Sequence, residues 1–328
     1  MPSLNMFEDD AFSLSSLTAA VQAIPYQPGR IGAAGLFAEK PIATLSAFVE
    51  QADGVLALVP VSQRGAPASP MTHGTRTVRS FKVPQIKKDD LLVADEIIGV
   101  RSFGTESELE TLAKVVAQRL MPMRNSVEYT LEAHRLAAIM GTYYDAAGNS
   151  VSLFTEFGVS QQSVAFALTT ATTKVRQKVM EMLEKIEDAL GGLSFSGVRV
   201  LCGKNFWSEF IEHPVVKETY LASQQAGAVR GDPRMEFEFG GVIWERYRGT
   251  SSVKVGDDDA YAVPEGVMEL FITSFAPADY METAGTLGQR VYAKQWPTEG
   301  DRGIKMEVQS NPLNLCTRPR AVIRLTKA

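Results

Sequence analysis

Apolar residues recur at steps of three or four from position 106 to about 143, apart from one interruption at His134, and this is the most regular pattern in the chain. They are Leu109, Leu112, Val116, Leu120, Met123, Val127, Leu131 and Ala138. This spacing predicts one face of a very long amphipathic helix, about 55 Å long at about 1.5 Å per residue. Thr105 and Glu108 have capping-box spacing at its start, and Pro122 should bend or break it near its middle.

Shorter patterns follow toward the C-terminus. Residues 172–190 have helical spacing and end at Gly191-Gly192, Asn205 can cap another helix, and a short helix is predicted at 214–221. Strands are predicted at 198–201, 235–239, 242–248, 261–263, 267–273 and within 303–325, with short strands in 151–168. Helices and strands in this order predict an α+β protein with antiparallel sheet.

A basic segment without Asp or Glu occupies positions 54–88. Residues 55–61 and 75–83 each predict a strand, and Gly and Pro residues mark a turn near 65–74. The segment therefore predicts a long two-stranded loop that reaches toward an acidic surface, with a solvated surface loop as the alternative. Its basic residues are Arg64, Arg76, Arg79, Lys82, Lys87 and Lys88.

Residues 1–50 lack the pattern of a domain core. Apolar positions from Phe12 to Ile24 predict a short helix with a serine near its start, and the prolines and glycines at 25–35 then interrupt regular structure. We expect this segment to be an arm that lies over a neighbouring molecule. Its contact candidates are Phe7, Phe12 and Leu17.

Composition narrows the class of protein. The 328 residues are 45% hydrophobic and 22% charged, which is ordinary for a globular protein large enough for one or two domains. A net charge of −5 argues against a protein whose main function is to bind nucleic acid. The chain has two cysteines, no run of eighteen apolar residues and no secretory signal at its start, which together indicate a soluble cytoplasmic protein.

Candidate chemistry is sparse. His73, His134 and His213 share no metal-binding spacing, and His134 on the apolar helix face fits a core or interface histidine. Cys202 precedes a predicted helix start, so a nucleophilic cysteine paired with His213 is one hypothesis and a buried structural cysteine is the other. The Asp257–Asp259 run lacks the spacing of a calcium loop and fits a solvated turn. We expect no catalytic residue, no metal and no cofactor.

Four strings carry a resemblance to a known family. They are FEDDAFSLSSLTAAVQAIPYQPGRIGAAGLF followed by LALVPVSQRGAPA, then VLCGKNFWSEFIEHPVVKETY, then GGVIWERYRG with YAVPEGVMELF, and finally SNPLNLCTRPRAVIRLTKA. In this order they resemble the lambda-type major capsid proteins of tailed phages, the capsid protein E family, over nearly the whole chain. The resemblance implies the HK97-like fold. Its expected parts are an N-terminal arm (1–50), an extended loop (51–92), a peripheral domain with a spine helix at about 106–142 (93–190), a mainly axial domain (191–300) and C-terminal strands returning to the peripheral domain (301–328).

The resemblance implies a subunit that assembles into pentamers and hexamers of an icosahedral head, not an enzyme. Implied partners are other copies of the chain, a separate scaffolding protein, a portal protein and a decoration protein. Packaged double-stranded DNA would be contacted only non-specifically, and no membrane is involved. The protein would be part of the virion and would assemble in the bacterial cytoplasm. We expect the basic loop to bridge acidic patches on adjacent subunits, Pro122 to act as a hinge, and reversal of Arg76 and Arg79 to Glu to impair assembly of a folded monomer.

Three alternatives remain open. An encapsulin-like nanocompartment shell would have the same fold and would hold enzymes in place of DNA. A tail-tube or other virion protein would differ in the shape of its particles. A Cys-dependent hydrolase using Cys202 would need an accessible, reactive thiol.

Overall fold

The computed structural model describes residues 10–24, 29–52, 76–93, 96, 108–219, 236–250 and 253–328. The described part is a mixture of helices and sheets. The helices are α1 (Leu14–Ala23), α2 (Arg30–Ala34), α3 (Glu108–Ile139), α4 (Leu153–Phe157), α5 (Val175–Leu190), α6 (Lys204–Glu212) and α7 (214–219).

Sixteen strands are present in the described residues. The first eight are β1 (Phe37–Pro41), β2 (Ser46–Ala52), β3 (Arg76–Lys82), β4 (Ile86–Val93), β5 (Thr142–Tyr144), β6 (Ser150–Ser152), β7 (Ser163–Ala165) and β8 (Gly197–Cys202). The others are β9 (Glu236–Phe239), β10 (Val242–Arg246), β11 (Asp259–Glu265), β12 (Phe271–Phe275), β13 (Tyr292–Pro297), β14 (Gly303–Ser310), β15 (Pro312–Cys316) and β16 (Ile323–Thr326).

The strands of the described residues form five sheets. The largest has the order β7-β16-β11-β8-β10-β9, and two three-stranded sheets have the orders β1-β12-β15 and β13-β14-β4. The pairs β2-β3 and β5-β6 stand alone. Among the described strands three pairings are parallel, namely β1-β12, β8-β10 and β7-β16, and the other pairings are antiparallel, as expected from the sequence. A helical connection such as α6 between β8 and β10 is what permits parallel pairing of strands so close in sequence.

The larger core joins the buried faces of α5, α6 and the six-stranded sheet to the end of α3, the pair β2-β3 and the sheet β1-β12-β15. An aromatic cluster lies at its centre, where the rings of Phe210 and Trp244 stack with their centroids 4.1 Å apart and the indole N–H of Trp244 donates to the Phe239 carbonyl at 3.1 Å. The apolar face of α5 predicted from the sequence is buried, and Gly191 ends that helix in the left-handed conformation. The sequence interpretation of α5 is therefore confirmed.

A second core lies under the first half of α3. It joins Val116, Leu120 and Met123 of α3 to the sheet β13-β14-β4 and to the buried face of α1. Ser13, one of the three serines (Ser13, Ser15 and Ser16) at the predicted start of this helix, caps α1 by accepting a hydrogen bond from the Ser16 backbone N–H at 3.3 Å. The start of the chain's described part is thus packed on the chain's own body.

Helix α3 runs without interruption from Glu108 to Ile139, so the long helix is confirmed and Pro122 does not break it, while a bend at Pro122 stays a prediction. Pro122 is exposed, while its neighbours Leu120 and Met123 are buried. Burial of that face stabilises the helix by more than the one missing N–H destabilises it. The proposed role of Pro122 as a hinge stays a prediction.

Two local expectations also change. Gly203, not Asn205, is the N-cap of α6, and Asn205 instead donates to the Asp258 side chain at 2.9 Å. The strand expected at 267–273 begins at Phe271, because 266–269 form a turn with positive φ at Gly266 and Glu269. The strand expected at 55–61 lies outside the described residues.

Candidate assembly surface

Strands β2 and β3 form an antiparallel hairpin in which Ser46 faces Lys82 and Ala52 faces Arg76. One face of the hairpin is buried in the chain's larger core through Ala47, Val49 and Phe81. The ring of Phe81 meets Tyr143 edge-on, with centroids 5.3 Å apart, and lies 6.0 Å from Phe157. The base of the predicted basic loop is therefore anchored on the chain's own body.

The opposite side of this hairpin is open to solvent and carries exposed apolar side chains beside the polar Ser80 and Lys82. Phe48 is 63% exposed and Val78 56% exposed, and Leu45 just before β2 is 71% exposed. We call these three residues the outer face. A two-stranded sheet with apolar side chains on both sides is unusual for a solitary soluble chain, because the outer side gains nothing from contact with water.

The basic residues of the hairpin point in different directions. The Arg79 guanidinium donates to the Glu156 backbone carbonyl and lies 5.5 Å from the centre of the Phe157 ring, while Lys82 is exposed. Arg64 and the side chain of Arg76 lie outside the described part of the structure. Arg79 is thus committed to its own chain, and its reversal to Glu would disturb the monomer, contrary to the expectation that the monomer would be unaffected.

Lys87 and Lys88 do not belong to the hairpin. Both lie on β4, which pairs with β14 in another sheet. The Lys87 ammonium is 2.5 Å from the Asp279 carboxylate, and Lys88 donates to the Ser126 hydroxyl at 2.9 Å. A count of basic residues shows the sign of a segment's net charge. It does not show which of these side chains have partners within the same chain.

Two of the three candidates in the arm are buried within the chain. Phe12 is 5% exposed and Leu17 4% exposed, both in the core under α3, while Phe7 lies outside the described residues. The expectation that this segment finds its burial only on a neighbour is therefore wrong for Phe12 and Leu17. The reason is that the apolar face of the amphipathic helix α1 packs against α3 and β13 of the same chain.

A family model described as phage major capsid protein E matches residues 13–327. The chain belongs to this family. The major capsid protein of Salmonella phage Felix O1 (isolate Felix O1-VT1) is similar at 29% identity over 355 aligned positions, covering 96% of each chain. The major capsid protein of Pseudomonas phage KPP10 is 28% identical over 338 positions, covering 95% of this chain and 96% of that one. The family predicted from the four strings is confirmed.

Solved structures show the same fold at much lower identity. A chain described as a prophage capsid protein of Escherichia coli CFT073 has a TM-score of 0.59 at 13% identity, covering 96% of this chain and 99% of that one. A chain of the mature capsid of bacteriophage PhiM1 has a TM-score of 0.53 at 10% identity, covering 93% of this chain and 88% of that one. The HK97-like fold expected of a phage major capsid protein E is thereby confirmed.

Within this family member, Cys202 has the surroundings of a structural residue. Its side chain is fully buried, and burial, followed by the nearby Glu245 carboxylate, raises the pKa of the thiol well above its ordinary value. His213 is 2% exposed, and its Nε2 lies 3.3 Å from the Thr170 carbonyl. A nucleophile requires an accessible thiolate, so this geometry gives the hydrolase hypothesis no support, and the interpretation of Cys202 as a buried structural cysteine is confirmed.

In the part of the chain that the structure describes, no cluster of three or more His, Cys, Asp or Glu side chains is arranged to hold a metal ion. No helix in the same described ranges is long and apolar enough to cross a bilayer.

Sequence reasoning missed the outer face. The signal was present at 47–49, where three consecutive apolar residues cannot all point to one side of a strand. The polar contacts that join α1 and α2 to α3 were also missed. Arg124 and Glu132 of α3, which make these contacts, carry no distinguishing signal in the sequence, because sequence does not show which segment crosses the surface of a helix.

Proposed function

We propose that this chain self-assembles into the icosahedral head shell of a tailed phage and encloses double-stranded DNA. The family match over residues 13–327 carries the proposal. The shared fold with phage capsid chains supports it. The role is structural, and the chain has no catalytic residue of its own in this proposal.

The outer face is the proposed contact with the next subunit. Burying Phe48, Val78 and Leu45 against a second copy would remove a large apolar area from water, at about 25 cal/mol per Å². Each contact is modest, but every subunit of a closed shell contacts several others at once, so the assembly is much tighter than any single contact.

The proposed layout follows the resemblance: arm 1–50, extended loop 51–92, peripheral domain 93–190, mainly axial domain 191–300 and C-terminal strands 301–328. The pairing of β16 with β7 supports the return of the C-terminal strands to the part of the chain before residue 190. The first strand of the hairpin β2-β3 begins at Ser46, so the hairpin starts five residues before the proposed loop at 51–92.

Further partners belong to the same proposal. A scaffolding protein would guide assembly, a portal would occupy one vertex, a decoration protein would add to the outside, and DNA would be contacted non-specifically by a chain of net charge −5. Assembly would take place in the bacterial cytoplasm and the product would be the virion.

The test is negative-stain microscopy of the overexpressed full-length chain, alone and with the scaffolding protein of the same phage. Closed particles of uniform diameter are expected in at least the second sample. Tubes would point to a tail protein, and a chain that stays monomeric in both samples would contradict the proposal.

A further inference from the structure

Helix α3 holds the ends of two successive helices of the arm. Helix α1 ends at Ala23 and helix α2 begins at Arg30, so a short connection separates them. The last carbonyl groups of one helix and the first N–H groups of the next have no partners inside their own helices. Both sets of groups are met by charged side chains that project from α3.

Arg124 meets the end of α1. Its guanidinium donates to the carbonyls of Val21 and Ile24, and to that of Gln22 at 3.0 Å. Arg124 is 3% exposed, although it carries a full charge. A cation at a helix C-terminus is favoured by the helix dipole, and here it also donates hydrogen bonds to the last carbonyl groups of the helix.

Glu132 meets the start of α2 about two turns further along α3. Its carboxylate accepts hydrogen bonds from the backbone N–H of Ile31 at 2.7 Å and of Gly32 at 3.1 Å. The Tyr247 hydroxyl, 3.3 Å away, donates a third, and burial followed by the Glu132 charge raises the pKa of that tyrosine. A side chain at Gly29 would collide with the carboxylate, so the fit requires glycine there.

The arm supplies two of the hydrogen bonds that the buried Glu132 carboxylate accepts. Glu132 is 6% exposed, and among the described residues no cation lies within salt-bridge distance of it. If α2 left, a buried carboxylate would lose two of its three donors, which is costly. The arm and α3 therefore stabilise each other, and partial release of the arm is unfavourable.

We propose that Arg124 and Glu132 are positioning residues that form a two-point latch, by which α3 holds α1 and α2 as one unit. The latch sets the direction in which the chain enters β1 and the hairpin. Arg30 of α2 adds a contact to Glu245, and Glu39 of β1 contacts Arg135 of α3 at 2.6 Å. Its consequence for shell formation rests on the proposed function: a subunit with an open latch presents the outer face in variable positions.

The test is hydrogen–deuterium exchange of the unassembled full-length chain. Glu132→Gln keeps the shape of the side chain but turns an N–H donor toward one of the two backbone donors, and Arg124→Met removes the donors at α1. If α3 holds α1 and α2 as one unit, each variant raises the exchange rate of the backbone amides about tenfold at both 14–24 and 29–34. The exchange rate of the amides at 197–202 is unchanged.

Matched controls are Arg119→Met on α3, whose side chain is 36% exposed and pairs with Asp90 and Glu96, and Glu181→Gln on α5. Neither should alter exchange in the arm. Arg124→Lys, which keeps the charge with fewer donors, should give an intermediate rate and keeps the test valid if Arg124→Met does not fold.

Loosening of only the helix next to each substitution, or no loosening at all, would overturn the latch. The exchange measurement needs no shell, so it separates the two proposals. If the wild-type chain formed no particles but showed the coupled exchange, the latch would stand and the proposed function would fail. If both stand, Glu132→Gln should yield several-fold fewer closed particles than Glu181→Gln.

Discussion

His134 lies in the second half of α3, with its ring stacked on Tyr144 at 4.4 Å between centroids. Burial lowers its pKa from 6.5 to about 4. The folded chain therefore holds the neutral ring, and the unfolded chain binds a proton more readily between these two values. The stabilisation is complete above pH 6.5 and is lost as the pH falls from 6.5 toward 4.

We predict that acidification from pH 7 to pH 4 lowers the free energy of unfolding by about 2 kcal/mol through His134, less than the full pKa shift converts to, because part of the ring is still solvated. Urea unfolding across this pH range measures it. His134→Phe keeps an aromatic ring beside Tyr144 without a titrating group. An identical pH dependence in this variant and the wild type would contradict the assignment.

Gly203 illustrates a glycine required by close packing. A Cβ at this position would collide with the backbone carbonyl of Gly256, and the Gly203 N–H donates to the Asp259 carbonyl at 2.9 Å. We predict that Gly203→Ala lowers the free energy of unfolding by about 2–3 kcal/mol, since backbone must move to admit the methyl group. Gly197→Ala, at a site with open space around it, is the control and should change it by less than about 0.5 kcal/mol. Equal effects of the two substitutions would count against this explanation.

At the scale of elements, α3 contains a proline that its packing tolerates. Pro122 cannot donate a hydrogen bond to the carbonyl four residues earlier, yet the helix continues on both sides. We predict that Pro122→Ala raises the free energy of unfolding by about 1–2 kcal/mol, because the restored bond outweighs the larger entropy of the unfolded chain. Urea unfolding measures this, with Met121→Ala, also exposed, as the control. A loss of stability would show that neighbouring residues have adapted to the proline.

The elements that could be predicted from sequence are those whose pattern is local. Helices α3 and α5 follow from a 3.6-residue period, and α1 follows from that period and a serine cap. Parallel pairing such as β1 with β12 joins segments more than 230 residues apart, and the sequence of neither strand indicates which strand it pairs with. The burial of Phe12 was missed for the same reason, since Phe12 packs with residues of α3 that are distant from it in sequence.

At the scale of the whole molecule, the outer face is the surface on which assembly depends in this account. We predict that Phe48→Asp leaves the monomer folded, because the side chain is 63% exposed, but prevents closed shells, because the same loss of about 1.5–3 kcal/mol recurs in every subunit. Circular dichroism and particle yield measure the two effects. The control is Met180→Asp on α5, where the side chain is 56% exposed. Equal particle yields for the two variants would refute a special role for the hairpin.

The most direct measurement is a cryo-EM reconstruction of particles formed by the wild-type chain. The account predicts an icosahedral shell in which Phe48, Val78 and Leu45 of each subunit are buried against a neighbouring copy. A closed shell that leaves these three side chains in solvent, or a purified chain that stays monomeric under assembly conditions, would contradict it.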